Sequence, residues 1–178
     1  MIANNDTENY GRKLMLEAHR IGNMRFEMAR LPQHVSLKQP FSIPSLEEME
    51  VFFDDFAKQM KSVKIQFEEL TVAPNNIIGG IQSGCVSIRV KKALEMEALQ
   101  KQLFQRLEDR FGPCPAAFDD DYIFYMTIAI GGGSFENYQK AYDILSKQNY
   151  NKSFVFNKLG LFIMMITILF REHTSATK

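Results

Sequence analysis

Two short stretches of similar pattern, lying half a chain apart, place the strongest constraint on the fold of this sequence. In Gln33–Pro40 apolar residues alternate with polar ones, and in Tyr122–Ile130 the hydroxyl residues Tyr125 and Thr127 share one face of a largely apolar run. Alternation with a period of two is typical of a β-strand that buries one face. A predicted helix follows each stretch, after Ser45 in the first half of the chain and after Ser134 in the second. The sequence therefore indicates a repeated unit of strand and helix.

The segments around these two stretches predict a mixed fold. Apolar residues at spacings of three and four predict helices, and runs rich in β-branched and aromatic residues predict strands. The helices and strands do not alternate as they would in a parallel sheet, which favours the α+β class. We expect one domain over residues 1–178, with two similar lobes of antiparallel sheet and flanking helices around a central cleft. The predicted helices are Asn9–Ile21, Ser45–Met60, Ala93–Phe111 and Phe135–Lys147, and the further strands are Val63–Val72, Val86–Val90, Ser153–Phe156 and Leu159–Phe170.

Charge and cysteine content narrow the class of protein. Acidic and basic residues number 21 each, so no long-range field attracts nucleic acid or an anionic membrane. The two cysteines, Cys85 and Cys114, form neither a disulfide framework nor a metal-binding spacing. The cysteine content predicts a protein of a reducing, cytoplasmic compartment.

No segment of the sequence predicts insertion into a membrane. The longest uncharged apolar run is Leu159–Phe170, which is shorter than the roughly 20 residues that a spanning helix needs. The first residues lack a basic region followed by an apolar run, so we expect no signal peptide. The run at Leu159–Phe170 is instead predicted to be a buried strand.

Polar residues on one face of each motif strand are the candidates for a functional site. His34 and Ser36 share a strand face because they are two residues apart, and Tyr125 and Thr127 share one for the same reason. A histidine before a valine is also common in ordinary strands, where it decorates the surface. The candidate site thus depends on whether the two strands face each other.

These residues resemble the signature of the two-histidine (2H) phosphoesterase superfamily, which includes bacterial 2'-5' RNA ligase-like proteins and cyclic nucleotide phosphodiesterases. That signature is two copies of His-x-Thr/Ser-x, about half a chain apart, where x is usually apolar. His34-Val35-Ser36-Leu37 matches the first copy, and Tyr125-Met126-Thr127-Ile128 matches the second with tyrosine in place of histidine. The resemblance extends in order and spacing over residues 31–162.

The resemblance implies metal-independent phosphodiester chemistry with no cofactor. Cleavage of a 2',3'-cyclic phosphate or a 2'-5' linkage needs one group that accepts a proton and another that donates one. His34 would be the base, Tyr125 an acid or a phosphate ligand, and Ser36 and Thr127 would bind phosphoryl oxygens. The implied ligand is a nucleotide or an RNA-terminal phosphate.

The tyrosine at position 125 leaves three functions open. Loss of one acid-base partner typically costs about a hundred- to ten-thousandfold in rate. The sequence is thus compatible with a weak enzyme, with a non-catalytic binder of nucleotide or phosphate, and with a partner-binding α+β domain. Lys38 and Arg89 are candidate outer cations.

Other polar features of the sequence are better explained without a site. His19 has no hydroxyl residue two positions later, and His173 lies in a polar tail. The acidic run Asp119–Asp121 is read as a solvated turn, because three consecutive carboxylates cannot converge on one ion in regular structure. Gly131–Gly133 lacks the pattern of a phosphate-binding loop and is read as a turn.

Overall fold

The computed structural model describes residues 1–24, 30–78 and 80–163, and these contain both helices and an antiparallel sheet. The α+β class predicted from the sequence is therefore confirmed. The helices are α1 (Asn5–Gly22), α2 (Leu46–Lys58), α3 (Leu94–Phe111) and α4 (Phe135–Leu145). The strands are β1 (Val63–Ile78), β2 (Ile81–Val90), β3 (Tyr125–Ile130) and β4 (Ser153–Phe156).

The four strands form one sheet in the order β3-β2-β1-β4, with antiparallel neighbours throughout. The long strand β1 pairs with β4 through its first residues and with β2 through the rest. A register shift between Phe67 and Leu70 separates the two parts. The described residues do not show a central cleft between two lobes, because their strands belong to this single sheet.

Helices α1 and α4 cover one face of the sheet. Tyr10 of α1 stacks on Phe67 of β1, with ring centroids 6.3 Å apart. Tyr138 of α4 lies so close to β2 that a Cβ atom on Gly84 would come within 2.6 Å of its ring. Glycine at position 84 therefore allows α4 to approach the sheet, and any larger residue would push the helix away.

Helices α2 and α3 form a second apolar cluster. The hydroxyl of Ser45 accepts a hydrogen bond from the backbone N–H of Glu48, which begins α2 as the sequence predicts. Gly112, with a positive φ of 77°, ends α3. The cluster joins apolar side chains of both helices with those of two flanking segments. Its buried members are Met49, Phe52, Phe56 and Leu107, and Phe41, Ile43, Leu159 and Leu161 pack against them.

Backbone pairing at the start of the chain joins the two ends of the sheet. Ile2 pairs with Lys158, two residues beyond β4, and also with His34. Val35 in turn pairs with Met126 of β3. Two short segments thus lie along the sheet and pair with backbone groups that would otherwise be exposed at its ends.

Two of the predicted strands differ from the structure in the residues that it describes. In Gln33–Pro40, only His34 and Val35 make β-bridges, although Val35 and Leu37 are buried as predicted. In Leu159–Phe170, the described part, Leu159–Ile163, contains no strand, and the remainder lies outside the described residues. The physical reason is that Leu159 and Leu161 pack on the α2–α3 cluster instead of joining the sheet.

Candidate functional site

The centres of the two sequence motifs are neighbours in the structure. Val35 of the first motif forms an antiparallel bridge with Met126 of the second. Met126 is also paired with Ile88 of β2, and Ile88 with Leu70 of β1. All four side chains are buried, at 4% exposure or less. The motifs therefore meet along one apolar row that crosses the sheet toward its core.

Antiparallel pairing at this point brings the polar residues of the two motifs together on the opposite face. Neighbours of a paired residue are themselves opposite one another, and successive side chains alternate between faces. His34 consequently lies across from Thr127, and Ser36 across from Tyr125. The first residue of each motif faces the third residue of the other, as expected for a local two-fold arrangement. All four side chains are half-buried.

The same face carries two polar rows that extend beyond the motif residues. Ser87 pairs with Thr127, and Thr71 pairs with Ser87, so the first row runs from His34 to β1. In the second row Arg89 pairs with Tyr125. The first row is His34, Thr127, Ser87 and Thr71. The second row is Ser36, Tyr125, Arg89 and Glu69. The Glu69 carboxylate lies 3.3 Å from the Arg89 guanidinium.

The tautomer of His34 follows from its hydrogen bond. Its Nδ1 lies 2.9 Å from the carbonyl oxygen of Pro32. A carbonyl oxygen can only accept, so Nδ1 carries the proton and Nε2 is left as an acceptor in the neutral ring. The ring of Phe162 packs edge-on against the imidazole at a centroid distance of 4.8 Å. His34 is thus oriented by two contacts, with Nε2 unprotonated.

Burial lowers the pKa of His34 below its ordinary value. The nearby amino group of Met1 lowers the pKa further, whereas the hydrogen bond to Pro32 and the charge of Glu8 act in the opposite direction. Desolvation is the largest of these effects because it disfavours the charged imidazolium. The imidazole is therefore neutral near pH 7, which is the form that a general base requires.

This shift predicts a pH dependence of stability. In the unfolded chain His34 gains a proton below about pH 6.5, whereas the folded protein resists protonation. We expect the stability of the wild type to fall as the pH is lowered through this range, and the loss to be smaller in His34→Gln. Urea unfolding from pH 7.5 to pH 5 measures it. His19→Gln is the matched control, and equal slopes in the wild type and His34→Gln would contradict the expectation.

The hydroxyl of Tyr125, in the second polar row, accepts a hydrogen bond from the side chain of Gln39. The side-chain amide of Gln39 donates to the Tyr125 oxygen at 3.4 Å and to that of Tyr122 at 3.5 Å. Burial is the main cause that raises the pKa of Tyr122, which keeps this phenol protonated. Since Gln39 is the donor in both contacts, each tyrosine retains its own O–H as a donor. Tyr125 can thus offer a proton or a hydrogen bond.

Both candidate outer cations, Lys38 and Arg89, are paired with a carboxylate. The Lys38 ammonium lies 2.7 Å from Asp119 Oδ2 and 4.2 Å from the centroid of the Phe104 ring. The Lys38 side chain is only 7% exposed. Lys38 therefore ties the first motif to the loop before β3. Arg89 lies on the polar face itself and pairs with Glu69 near the solvent.

The acidic run and the glycine turn have structural roles. Asp119 accepts hydrogen bonds from Lys38 and from the backbone N–H of Ala116. The carbonyl of Gly131 accepts from the hydroxyls of Ser83 and Tyr138. In the part of the chain that the structure describes, no group of three histidine, cysteine, aspartate or glutamate side chains could hold a metal ion.

Of the remaining residues considered from the sequence, Cys85 lies on the polar face, where its thiol contacts the side chain of Thr127. His19 contacts the backbone carbonyl of Met24 at the end of α1. His173 is not among the described residues. Burial raises the pKa of the Cys85 thiol to about 11, so it is protonated and a poor nucleophile. A groove of about 360 Å³ between α2 and α3 contains none of the motif residues; its lining is Val51, Phe52, Asp55, Arg106, Asp109 and Arg110.

The sequence did not predict several residues of the polar face as part of the candidate site. Ser87 could have been found, because it alternates with the buried residues of β2. No local pattern predicts that Thr71 and Gln39 belong to the polar face. The position of Thr71 depends on strand register, and that of Gln39 depends on a contact between distant segments. Phe162 belongs to a run that the sequence assigned to a strand.

Comparison with family models and with curated proteins gives no indication of function. The sequence matches no family model. It also matches no curated protein. Among the described residues, none of the helices is both long enough and apolar enough to cross a lipid bilayer.

Proposed function

We propose that this protein is a phosphoesterase-like protein that binds RNA-derived or cyclic nucleotide phosphates and cleaves them weakly. The observation that carries the proposal is the bridge between Val35 and Met126. It sets two His-x-Ser/Thr-like motifs antiparallel, so that His34 and Thr127 face each other beside Ser36 and Tyr125. The 2H phosphoesterase resemblance of the sequence supports the same conclusion.

The proposed reaction is hydrolysis of a 2',3'-cyclic phosphate without a metal. His34 Nε2 accepts a proton from water, whose oxygen forms a new bond to phosphorus. The bond between phosphorus and one ribose oxygen breaks, and that oxygen receives a proton from the Tyr125 hydroxyl. Ser36 and Thr127 donate hydrogen bonds to the phosphoryl oxygens as negative charge develops.

Tyr125 makes slow turnover the expected outcome. A phenol, with an ordinary pKa of about 10, gives up its proton to a leaving oxygen less readily at neutral pH than an imidazolium does. This residue also favours the second candidate function, a binder that retains the phosphate site without turnover. We further propose a cytoplasmic setting, on the basis of the two unpaired cysteines.

The test is to mix the protein with 2',3'-cyclic nucleotides and to follow both hydrolysis and binding. We expect saturable binding with slow product formation, and we expect Ser36→Ala to weaken binding about tenfold because one hydrogen bond to a charged oxygen is lost. Ser153→Ala, an exposed serine of β4, is the matched control and should bind as the wild type does.

The outcomes separate the candidate functions. Product formation supports the enzyme, and binding without product supports the non-catalytic binder. A folded protein that neither binds nor hydrolyses any of these nucleotides would contradict the proposal and favour a partner-binding domain.

A further inference from the structure

Two hydroxyls next to the motif residues form a closely spaced pair. Thr71 of β1 and Ser87 of β2 are direct neighbours in the register, and their side-chain oxygens lie 3.0 Å apart. The Thr71 hydroxyl also donates to the backbone carbonyl of Ser87 at 3.1 Å. Ser87 is in turn the neighbour of Thr127. The pair therefore continues the polar row that begins at His34.

The two contacts together can use both hydroxyl protons. When the Thr71 hydroxyl donates to the Ser87 carbonyl, the side-chain contact uses the proton of Ser87. The lone pairs that remain on the two oxygens can only accept. A phosphate oxygen, which also accepts, is not recognised by such a pair. A sugar hydroxyl is recognised, because it brings its own proton.

We infer that Thr71 and Ser87 accept a hydrogen bond from a ribose hydroxyl of the nucleotide that precedes the terminal phosphate. This inference rests on the proposed function. In a 2',3'-cyclic end, both hydroxyls of the last ribose are part of the phosphate ring. A free 2'-hydroxyl must then come from the preceding nucleotide. The ligand class is thus an RNA end of at least two nucleotides.

The dimensions of the sheet agree with this placement. Neighbouring strands are about 4.8 Å apart, so Ser87 lies about that far from Thr127 and Thr71 twice as far. A chain whose terminal phosphate lies at His34 and Thr127 would carry its preceding ribose over β2. Ser87 is only 8% exposed, which suits contact with one small hydroxyl and not with a base.

The sharpest test compares two ligands that differ by one hydroxyl. Both are adenosine dinucleotides with a 2',3'-cyclic phosphate, and in one of them the first sugar is 2'-deoxyribose. We expect the wild type to bind the all-ribose ligand about three- to tenfold more tightly, the value of one neutral hydrogen bond. Binding is measured by titration calorimetry, which needs no catalytic activity.

Two variants test whether Ser87 and Thr71 cause the preference for the all-ribose ligand. Ser87→Ala and Thr71→Val should lower the affinity for the all-ribose ligand to that of the deoxy ligand and leave a cyclic mononucleotide unaffected. Ser153→Ala should retain the preference. Equal binding of the two dinucleotides by the wild type would overturn this inference even if either variant failed to fold. Failure of every nucleotide to bind would instead overturn the proposed function, and the inference with it.

Discussion

Replacing Tyr125 by histidine is expected to raise the rate of cyclic phosphate hydrolysis about a hundred- to ten-thousandfold. Histidine exchanges protons near neutral pH, whereas the phenol is nearly always protonated there. The register supplies the geometric reason. Position 125 faces Ser36 just as position 34 faces Thr127, so an imidazole here would occupy the two-fold counterpart of His34.

Three further variants make this prediction specific. His34→Ala in the Tyr125→His background should remove the gained activity, because the base is lost. Tyr125→Phe keeps the ring but loses the hydroxyl, and it should not exceed the wild type. Gln39→Ala reports whether loss of the Gln39 contact alone changes the rate. Initial rates on 2',3'-cyclic nucleotides measure all of them. A folded Tyr125→His protein with no gain would count against the enzyme and leave the binding function.

Replacing Phe67 by alanine is expected to lower the free energy of unfolding by about 3–5 kcal/mol, the usual range for a fully buried phenylalanine. Phe67 is completely buried near the register shift of β1. Its ring lies 5.3 Å from that of Phe154 on β4 and 6.3 Å from that of Tyr10 on α1. The truncated side chain would leave a cavity between three elements that cannot all move inward.

Urea unfolding followed by circular dichroism measures this effect. Val155→Ala is the control, since Val155 lies on β4 next to Phe154 but is 46% exposed, and it should change stability by less than about 0.5 kcal/mol. An unchanged dependence on urea concentration would show that the denatured state is the same. If Phe67→Ala were as mild as Val155→Ala, Phe67 would not be a central residue of the core.

Local features of the chain were sufficient to predict most of its elements. The helix that begins after Ser45 was predictable because a serine cap and a stripe of apolar residues are encoded within a few positions. The end of α3 was predictable from Gly112, which adopts a backbone conformation that other residues resist. The strand character of β2 was predictable from the alternation of Val86, Ile88 and Val90.

The candidate residues of the motifs were also predictable, since each pair lies two positions apart on one strand. Their arrangement was not. Which residue of the first motif lies opposite which residue of the second depends on one backbone pair, Val35 with Met126, formed between segments far apart in the chain. A shift of one residue would exchange the two faces, and no local pattern encodes that choice.

The partners of charged and polar groups were decided by tertiary structure for the same reason. Lys38 was a candidate outer cation by its position, yet its ammonium pairs with Asp119 and lies over the ring of Phe104. Thr71 and Ser87 became neighbours only through the register of β1 and β2. Periodicity specifies which side of a strand a residue occupies, because that depends on backbone geometry within a few residues. The neighbour it meets there depends on how the whole core packs.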